Sequence, residues 1–423
     1  VYYRAPLRFA AFNWLARPSS IAFSFPAREQ LAAMLNAQRC GRLAYGRSRM
    51  AARAPMRPAA RRVRGSSTTC ASAQPMKEII EVLISRQDLT EQQAEGALLG
   101  MLEDFSPEQA AAFLVLLRAK GETPEEIAGM AKAFLRHGLH VKTRDGVVDI
   151  VGTGGDGIGS VNISTGASVV VAAAGGRVAK HGNRSVSSLC GSADVLEALD
   201  ISIDLGPEGV ARCIEEAGVG FMYAPRYHPA MKVVRPVRSA LKVRTAFNML
   251  GPLLNPAGAE YGLVGVYDPS ISVLMGESLM RLGMKKALVV HSMGLDELTP
   301  MGPADVVEVE AGKRLKRYSL DPKEVGIPRC EVADLAGGDA ALNAAILRDV
   351  FGGARGPVAD ALNLNAGYAL AAARVAADPR EGVAMAQEAQ RAGKAGAVLA
   401  RWADVSRAAA AAEAAGAAAA VGA

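Results

Sequence analysis

The chain has 423 residues, half of them apolar, enough for a buried core and for more than one domain. Its formal charge of +6 is unevenly held: residues 1–75 contain thirteen Arg, no Lys and one acid, Glu29, a net of +12, so the remainder carries −6. No nucleic-acid partner is therefore expected for the body of the chain, and no apolar run is long enough to suggest a membrane partner.

Residues 1–75 are rich in Arg, Ala and Ser and nearly free of acids, the composition of a disordered transit peptide. Their length and the closing Val63-Arg-Gly-Ser-Ser-Thr-Thr-Cys-Ala stretch favour the chloroplast stroma, with cleavage near Cys70 to Pro75. The five cysteines, Cys40, Cys70, Cys190, Cys213 and Cys330, form no C-x-x-C pair, so neither a disulfide framework nor a zinc site follows.

From Met76 the pattern is helical. Thr90 with Gln93, Ser106 with Gln109 and Thr123 with Glu126 have capping-box spacing, and Pro107 and Pro124 suit a first helical position. Gly121 and Gly138 read as the matching stops. With Met76–Ser85 this gives about four short helices, a small helical domain over 76–143. Its apolar residues Phe113, Leu114, Leu116 and Leu117 exceed what one bundle buries, which implies packing on the next domain or a second subunit.

From 144 to 407 apolar strands alternate with helices, the signature of an α/β domain with a mainly parallel sheet. Val147–Val151 reads as a strand that stops at Gly152. Gly154, Gly155, Gly157 and Gly159 then allow backbone N–H groups to approach an anion. Ser164 or Thr165 reads as the N-cap of a helix ended by Gly175-Gly176, and a helix start favours phosphate.

The loop fits G-x-G-x-x-G, but the next strand, Arg177–Ala179, runs into Lys180-His181-Gly182-Asn183-Arg184. A nicotinamide site would want an acid there, and a P-loop would want Gly-Lys-Ser/Thr after the first glycines. Strands are also expected at Ile201–Asp204, Val219–Tyr223, Tyr261–Tyr267 and Ala287–His291. A cation-rich, proline-rich interruption spans 226–256, in which Lys232, Arg235 and Lys242 read as a solvated face. Asp296-Glu297 follows an apolar strand, where open α/β sheets bind ligands, and offers hard oxygen donors suited to Mg²⁺. Residues 408–423 are low-complexity Ala and Gly and carry no assigned function.

In order along the chain stand Gly152-Thr-Gly-Gly-Asp156, Asn162-Ile-Ser-Thr165, Lys180-His-Gly-Asn-Arg184, Gly191-Ser-Ala-Asp194, Phe247-Asn248 with Gly251-Pro252 and Asn255-Pro256, and Gly294-Leu-Asp-Glu297. In this combination the chain from Met76 to about Arg407 resembles the anthranilate phosphoribosyltransferases. The resemblance implies a small N-terminal helical domain, completed by helices from 226–256, and a large α/β domain of nucleoside phosphorylase type. It implies a site in the cleft between them and a homodimer through the helical domain.

It further implies Mg²⁺-dependent transfer of the phosphoribosyl group from phosphoribosyl pyrophosphate (PRPP) to the amino group of anthranilate in tryptophan biosynthesis. By the resemblance, Gly152, Gly155, Asp156, Ser160, Asn162, Ser164, Thr165, Lys180, Ser188 and Ser192 hold PRPP. Ser164, Asp296 and Glu297 hold Mg²⁺. Gly152, His181, Asn183, His228 and Arg238 serve anthranilate, with Arg238 facing its carboxylate and the two histidines lining its access path. Lys180, Asn183 and Arg238 are the residues closest to the chemistry. Asp200 and Lys242 stand where the family usually, or in many bacterial members, has Gly. The alternatives are a pyrimidine nucleoside phosphorylase-like enzyme, which lacks the Asp-Glu pair, and a nucleic-acid-binding relative without turnover, which would need a basic cleft.

Overall fold

Four helices open the described part of the chain, the last three each behind its own capping residue. They are α1 (Met76–Ile84), α2 (Glu91–Glu103), α3 (Pro107–Lys120) and α4 (Pro124–Arg136). The Thr90 and Thr123 hydroxyls accept the Gln93 and Glu126 N–H groups, and those two side chains accept the threonine N–H groups in return. Ser106 caps α3 without the reciprocal bond, its hydroxyl donating instead to Glu108. Gly121, at φ 93°, ends α3 as expected. Gly138 does not end α4, since His137 is the cap. A Cβ on Gly138 would stand 3.1 Å from His228 Nδ1, so this glycine makes room for a side chain.

The computed structural model describes residues 74–185 and 189–421. The transit-peptide reading and Ser188 therefore lie outside the described residues.

The sheet comprises β1 (Val148–Gly152), β2 (Val178–Gly182), β3 (Val219–Tyr223), β4 (Tyr261–Gly265), β5 (Lys286–Ser292), β6 (Ala304–Glu310) and β7 (Lys316–Leu320). Its order is β3-β2-β1-β4-β5-β6-β7. The first five strands are parallel and β6 and β7 are antiparallel, as a mainly parallel sheet requires. Crossover helices α5 (Ile163–Ala173), α6 (Ser192–Ala198), α7 (Pro207–Ala217) and α11 (Ser272–Arg281) join the parallel strands. Between β3 and β4 the chain leaves the sheet through α8 (Ala224–Tyr227), α9 (Met231–Leu241) and α10 (Phe247–Leu250). Val234 and Val237 of α9 and Phe247 and Leu250 of α10 enter the same buried cluster as Phe113, Leu114 and Leu117. That cluster continues into Val264 of β4 and Val289 of β5, so the helical domain rests on one face of the sheet.

Ile201–Asp204 is not a strand. Ile201 and Ile203 are buried, which produced the alternating pattern, but the Ser202 N–H donates to Ser406 Oγ on a helix. That helix, α15 (Lys394–Val421), follows α12 (Ala340–Phe351), α13 (Pro357–Ala372) and α14 (Pro379–Arg391), and it runs through the stretch read as a low-complexity tail. Glu413 within it accepts the Gly206 N–H at the start of α7 and pairs with Arg226 at 3.0 Å. Asp200 and Lys242 both adopt left-handed backbone, at φ 66° and 53°, the conformation glycine adopts without strain. Asp200 is held there by Arg348 at 3.1 Å.

Parallel strands β1 and β4 are neighbours in register, Gly152 opposite Gly265. A Cβ on Gly265 would lie 1.5 Å from the Asp296 carbonyl oxygen, which is backbone and cannot swing aside. Gly265→Ala is therefore expected to cost at least ~3 kcal/mol in denaturant unfolding. Gly100→Ala, in α2 with nothing within 4 Å, should instead add up to ~1 kcal/mol.

Candidate active site

The strand order reverses between β1 and β4, and the carboxyl ends of such a pair open a crevice. After β5, Met293 (φ 52°) and Gly294 (φ 90°) turn the chain back, with Ser292 and Leu295 bridged, and set Asp296 over that crevice. A Cβ on Gly152 would lie 2.2 Å from Asp296 Oδ2, so both strand-end glycines are needed for the carboxylate to sit there. Asp296 Oδ2 accepts the Gly154 N–H at 2.6 Å. Next to it, Glu297 Oε1 accepts the Ser164 N–H in the first turn of α5 at 3.2 Å. The loop is clamped from behind by Asn365 of α13, which accepts the Leu298 N–H at 3.1 Å and donates to the Leu298 carbonyl at 2.7 Å.

Below the carboxylates lies Lys180, buried in β2. Its Nζ donates to the Ile150 carbonyl at 2.7 Å and lies 3.4 Å from Ser164 Oγ. Asp149 of β1 is buried too, accepting the His181 N–H at 3.2 Å and the Asn255 side-chain amide at 2.7 Å. Burial pushes Asp149 and Asp296 up to about 6, and burial together with the Asp296 charge pushes Glu297 up to about 8. Burial also lowers Lys180, against the pull of Asp149, Glu297 and Asp296. One cation thus faces three carboxyls, a balance that favours an added cation.

Two carboxylates and the Ser164 hydroxyl, with a helix start and a glycine loop alongside, suit a hard divalent ion that takes its remaining ligands from phosphates. Among the described residues no group of three or more His, Cys, Asp or Glu gathers into a self-sufficient metal site. The residues present fit Mg²⁺ shared with a phosphorylated ligand.

The glycine loop lies opposite. Gly154, Gly155, Gly157 and Gly159 have φ between 70° and 81°, and Asp156 Oδ1 accepts the Ile158 N–H. Neither Ser164 nor Thr165 caps α5. Asn162 occupies the cap position, and its side chain is drawn away to donate to the Cys190 carbonyl and accept from Asn343. In the first turn the Ser164 N–H goes instead to Glu297, and the buried Thr165 hydroxyl is left without a partner. Ser160 bridges Ala336 through its backbone, and Ser192 opens α6.

Of the acceptor-side residues, Asn183 is exposed at the end of β2, and its carbonyl receives the Ala193 N–H. Arg184 is taken up by Asp194 and Glu197. Arg238 is exposed on α9, its guanidinium 5.4 Å from the Phe247 ring centroid, and among the described residues it pairs with no carboxylate. His181 and His228 stand side by side behind the end of β2. Both are buried, edge to face at 5.1 Å, because each gives one ring nitrogen to a carbonyl, Gly251 or Leu254. His181 Nε2 and His228 Nδ1 have no partner, and burial holds His181 down to about 3, so it is neutral at ordinary pH.

The helical bundle and the α/β domain are together the two parts of a glycosyltransferase family. The chain matches "Glycosyl transferase family, helical bundle domain" over residues 77–138 and "Glycosyl transferase family, a/b domain" over 144–396. It is 48% identical over 327 residues to the anthranilate phosphoribosyltransferase of Moorella thermoacetica, covering 77% of this chain and 96% of that protein. The crystal structure of the enzyme of that name from Thermus thermophilus superposes with a TM-score of 0.74 at 45% identity, over 78% of this chain and 99% of that one. The Saccharomyces cerevisiae enzyme in complex with PRPP and Mg gives a TM-score of 0.72 at 26% identity, over 79% and 98%. The chain belongs to the anthranilate phosphoribosyltransferase family.

The raised Glu297 carboxyl has a consequence for stability. It is ionised in the unfolded chain above pH 4.5 but stays protonated in the fold up to about 8. Its contribution is therefore present at low pH and lost as pH rises through that window. As pH rises from 6 to 8.5, chelator-treated wild type should lose thermal stability relative to Glu297→Gln; parallel curves for the two proteins would contradict it.

Proposed function

We propose that the chain transfers the 5-phosphoribosyl group of PRPP to the amino group of anthranilate, giving phosphoribosyl anthranilate and pyrophosphate in tryptophan biosynthesis. The observation that carries this reading is Asp296-Glu297 seated over the β1/β4 crevice against the Gly154 and Ser164 N–H groups. In this reading the glycine loop, Asp156, Ser160, Asn162, Ser164, Thr165, Lys180, Ser188 and Ser192 hold the donor. Mg²⁺, when bound by Ser164, Asp296 and Glu297, neutralises charge on the diphosphate and makes it a better leaving group.

The C1–O bond breaks with its electron pair leaving on pyrophosphate, the anthranilate nitrogen forms the new bond to C1, and that nitrogen then gives up one of its two protons to the released pyrophosphate or to water. An arylamine is already neutral near pH 7, so no strong base is needed, and no Ser-His-Asp or Cys-His arrangement has to be supplied. What the chain contributes is position and electrostatics. The glycine-loop and α5 N–H groups face the departing charge, Lys180 fixes the floor between β1 and α5, and Asn183 and Arg238 orient the acceptor. The buried histidine pair shapes the acceptor side by its packing.

A chloroplast address is supported by the Arg-rich, acid-poor composition of 1–75. A homodimer through the helical domain is supported by Ile84 of α1 and Val115 of α3, large apolar side chains left exposed on two helices that pack together.

Protein cleaved near Met76, mixed with anthranilate, PRPP and Mg²⁺, should consume anthranilate fluorescence. Asp296→Asn with Glu297→Gln should cut turnover by well over ~10-fold, the scale of losing one charge-stabilising group. Unchanged fluorescence with the wild type, or near-normal turnover by the double variant at limiting Mg²⁺, would overturn the assignment or the metal role respectively.

A further inference from the structure

The cation-rich interruption contains one arginine that the reading above leaves without a role. Arg244 follows α9, past the left-handed turn at Lys242, in the connector whose next residue, Thr245, is fixed by its N–H donating to Asn248 Oδ1 at 3.0 Å. Its guanidinium lies 3.6 Å from the centroid of the Tyr267 ring, just past β4, and its Nη2 donates to the Gly155 carbonyl at 2.7 Å. Among the described residues no carboxylate pairs with it. Tyr267 is itself tied to the loop, its N–H donating to Thr153 Oγ1 at 3.0 Å, while the Thr153 N–H donates to the Gly265 carbonyl at 3.0 Å. The glycine loop is thus fastened at Thr153 by the end of β4 and at Gly155 by a side chain from the helical insertion.

We infer that Arg244 is a positioning residue that fixes the Gly155–Asp156 peptide plane, so that the Asp156 N–H is presented to the diphosphate of the donor. The inference rests on the proposed donor site. A trans peptide points its C=O and N–H in opposite directions, so anchoring the Gly155 carbonyl on one side aims the Asp156 N–H at the other. That N–H has no hydrogen-bond partner among the described residues. Gly155 sits at φ 81° with glycines on either side of the Gly155-Asp156 pair, a stretch whose peptide planes turn at little cost unless something holds them.

The planar guanidinium is suited to the task because stacking on Tyr267 fixes its plane while its edge hydrogen-bonds the carbonyl. The same strap links the insertion that carries Arg238 to the loop that receives the donor, so acceptor and donor sides are joined through one side chain.

The test uses the whole enzyme from Met76. Arg244→Ala is expected to raise KM for PRPP about 10-fold or more, the scale of displacing a group by ~1 Å, with KM for anthranilate unchanged. Millimolar methylguanidinium is expected to recover part of the loss. Arg244→Lys should remain impaired, since an ammonium keeps the charge but not the stacked plane. Tyr267→Leu, which leaves Arg244 in place without its platform, should shift the same parameter in the same direction by less.

Wild-type KM for PRPP in Arg244→Ala, or full recovery in Arg244→Lys, would overturn the inference, the second by showing that charge alone suffices. A wild-type protein without transferase activity would instead refute the proposed function. The inference would then be read by titrating Mg²⁺-pyrophosphate into wild type and Arg244→Ala, where equal affinities would overturn it.

Discussion

The structure depends on a buried carboxylate placed between two strand ends. Asp296 occupies the crevice only because Gly152 and Gly265 have no side chains, and its Oδ2 holds the glycine loop through the Gly154 N–H. Burying a carboxylate is costly without partners. Here the cost is shared among one N–H bond, the adjacent Lys180 charge and a carboxyl kept partly protonated, its pKa raised to about 6. The arrangement is tolerable alone and better with a cation, a property expected of a site built to receive one.

The other parts follow from that placement. Lys180 bridges the β1 carbonyl of Ile150 to Ser164 at the start of α5, so strand, helix and carboxylates hold one another in register. Asp149 and Asn255 repeat the pattern one layer lower. The Asn255 amide joins the Asp149 carboxylate to the Ala179 carbonyl of β2, which ties the end of the helical insertion to the sheet. The insertion also carries Arg238, His228 and Arg244, and its apolar face is shared with the N-terminal helices. The sheet ends thus carry the carboxylates and the glycine loop, and the helical insertion is anchored beside them by one continuous apolar cluster.

Much of this was legible in the sequence where a local rule acts alone. Thr90 and Thr123 announced their helices through capping chemistry that needs no tertiary partner, and Asp296-Glu297 was marked by its position after an apolar strand. Reading failed where a distant group decided the outcome. Asn162, not Ser164 or Thr165, stands at the cap of α5, and its side chain makes no cap because Asn343, 181 residues away in sequence, and the Cys190 carbonyl hold it. Gly138 looked like a helix stop but serves His228, and Ile201–Asp204 alternates like a strand while bonding to a helix. The alanine-rich end looked featureless, yet one acid in it, Glu413, secures both Gly206 and Arg226. Asp149, a lone charge inside an apolar strand, was the available signal for the lower polar layer.

The central claim is that the Asp296-Glu297 corner and the glycine loop form one site for a metal-bound diphosphate. Calorimetric titration of pyrophosphate into the folded enzyme, with and without Mg²⁺, tests it most directly. The account requires binding at least ~10-fold tighter with Mg²⁺, a gap of about 1.4 kcal/mol. Equal affinity in the two titrations would contradict it.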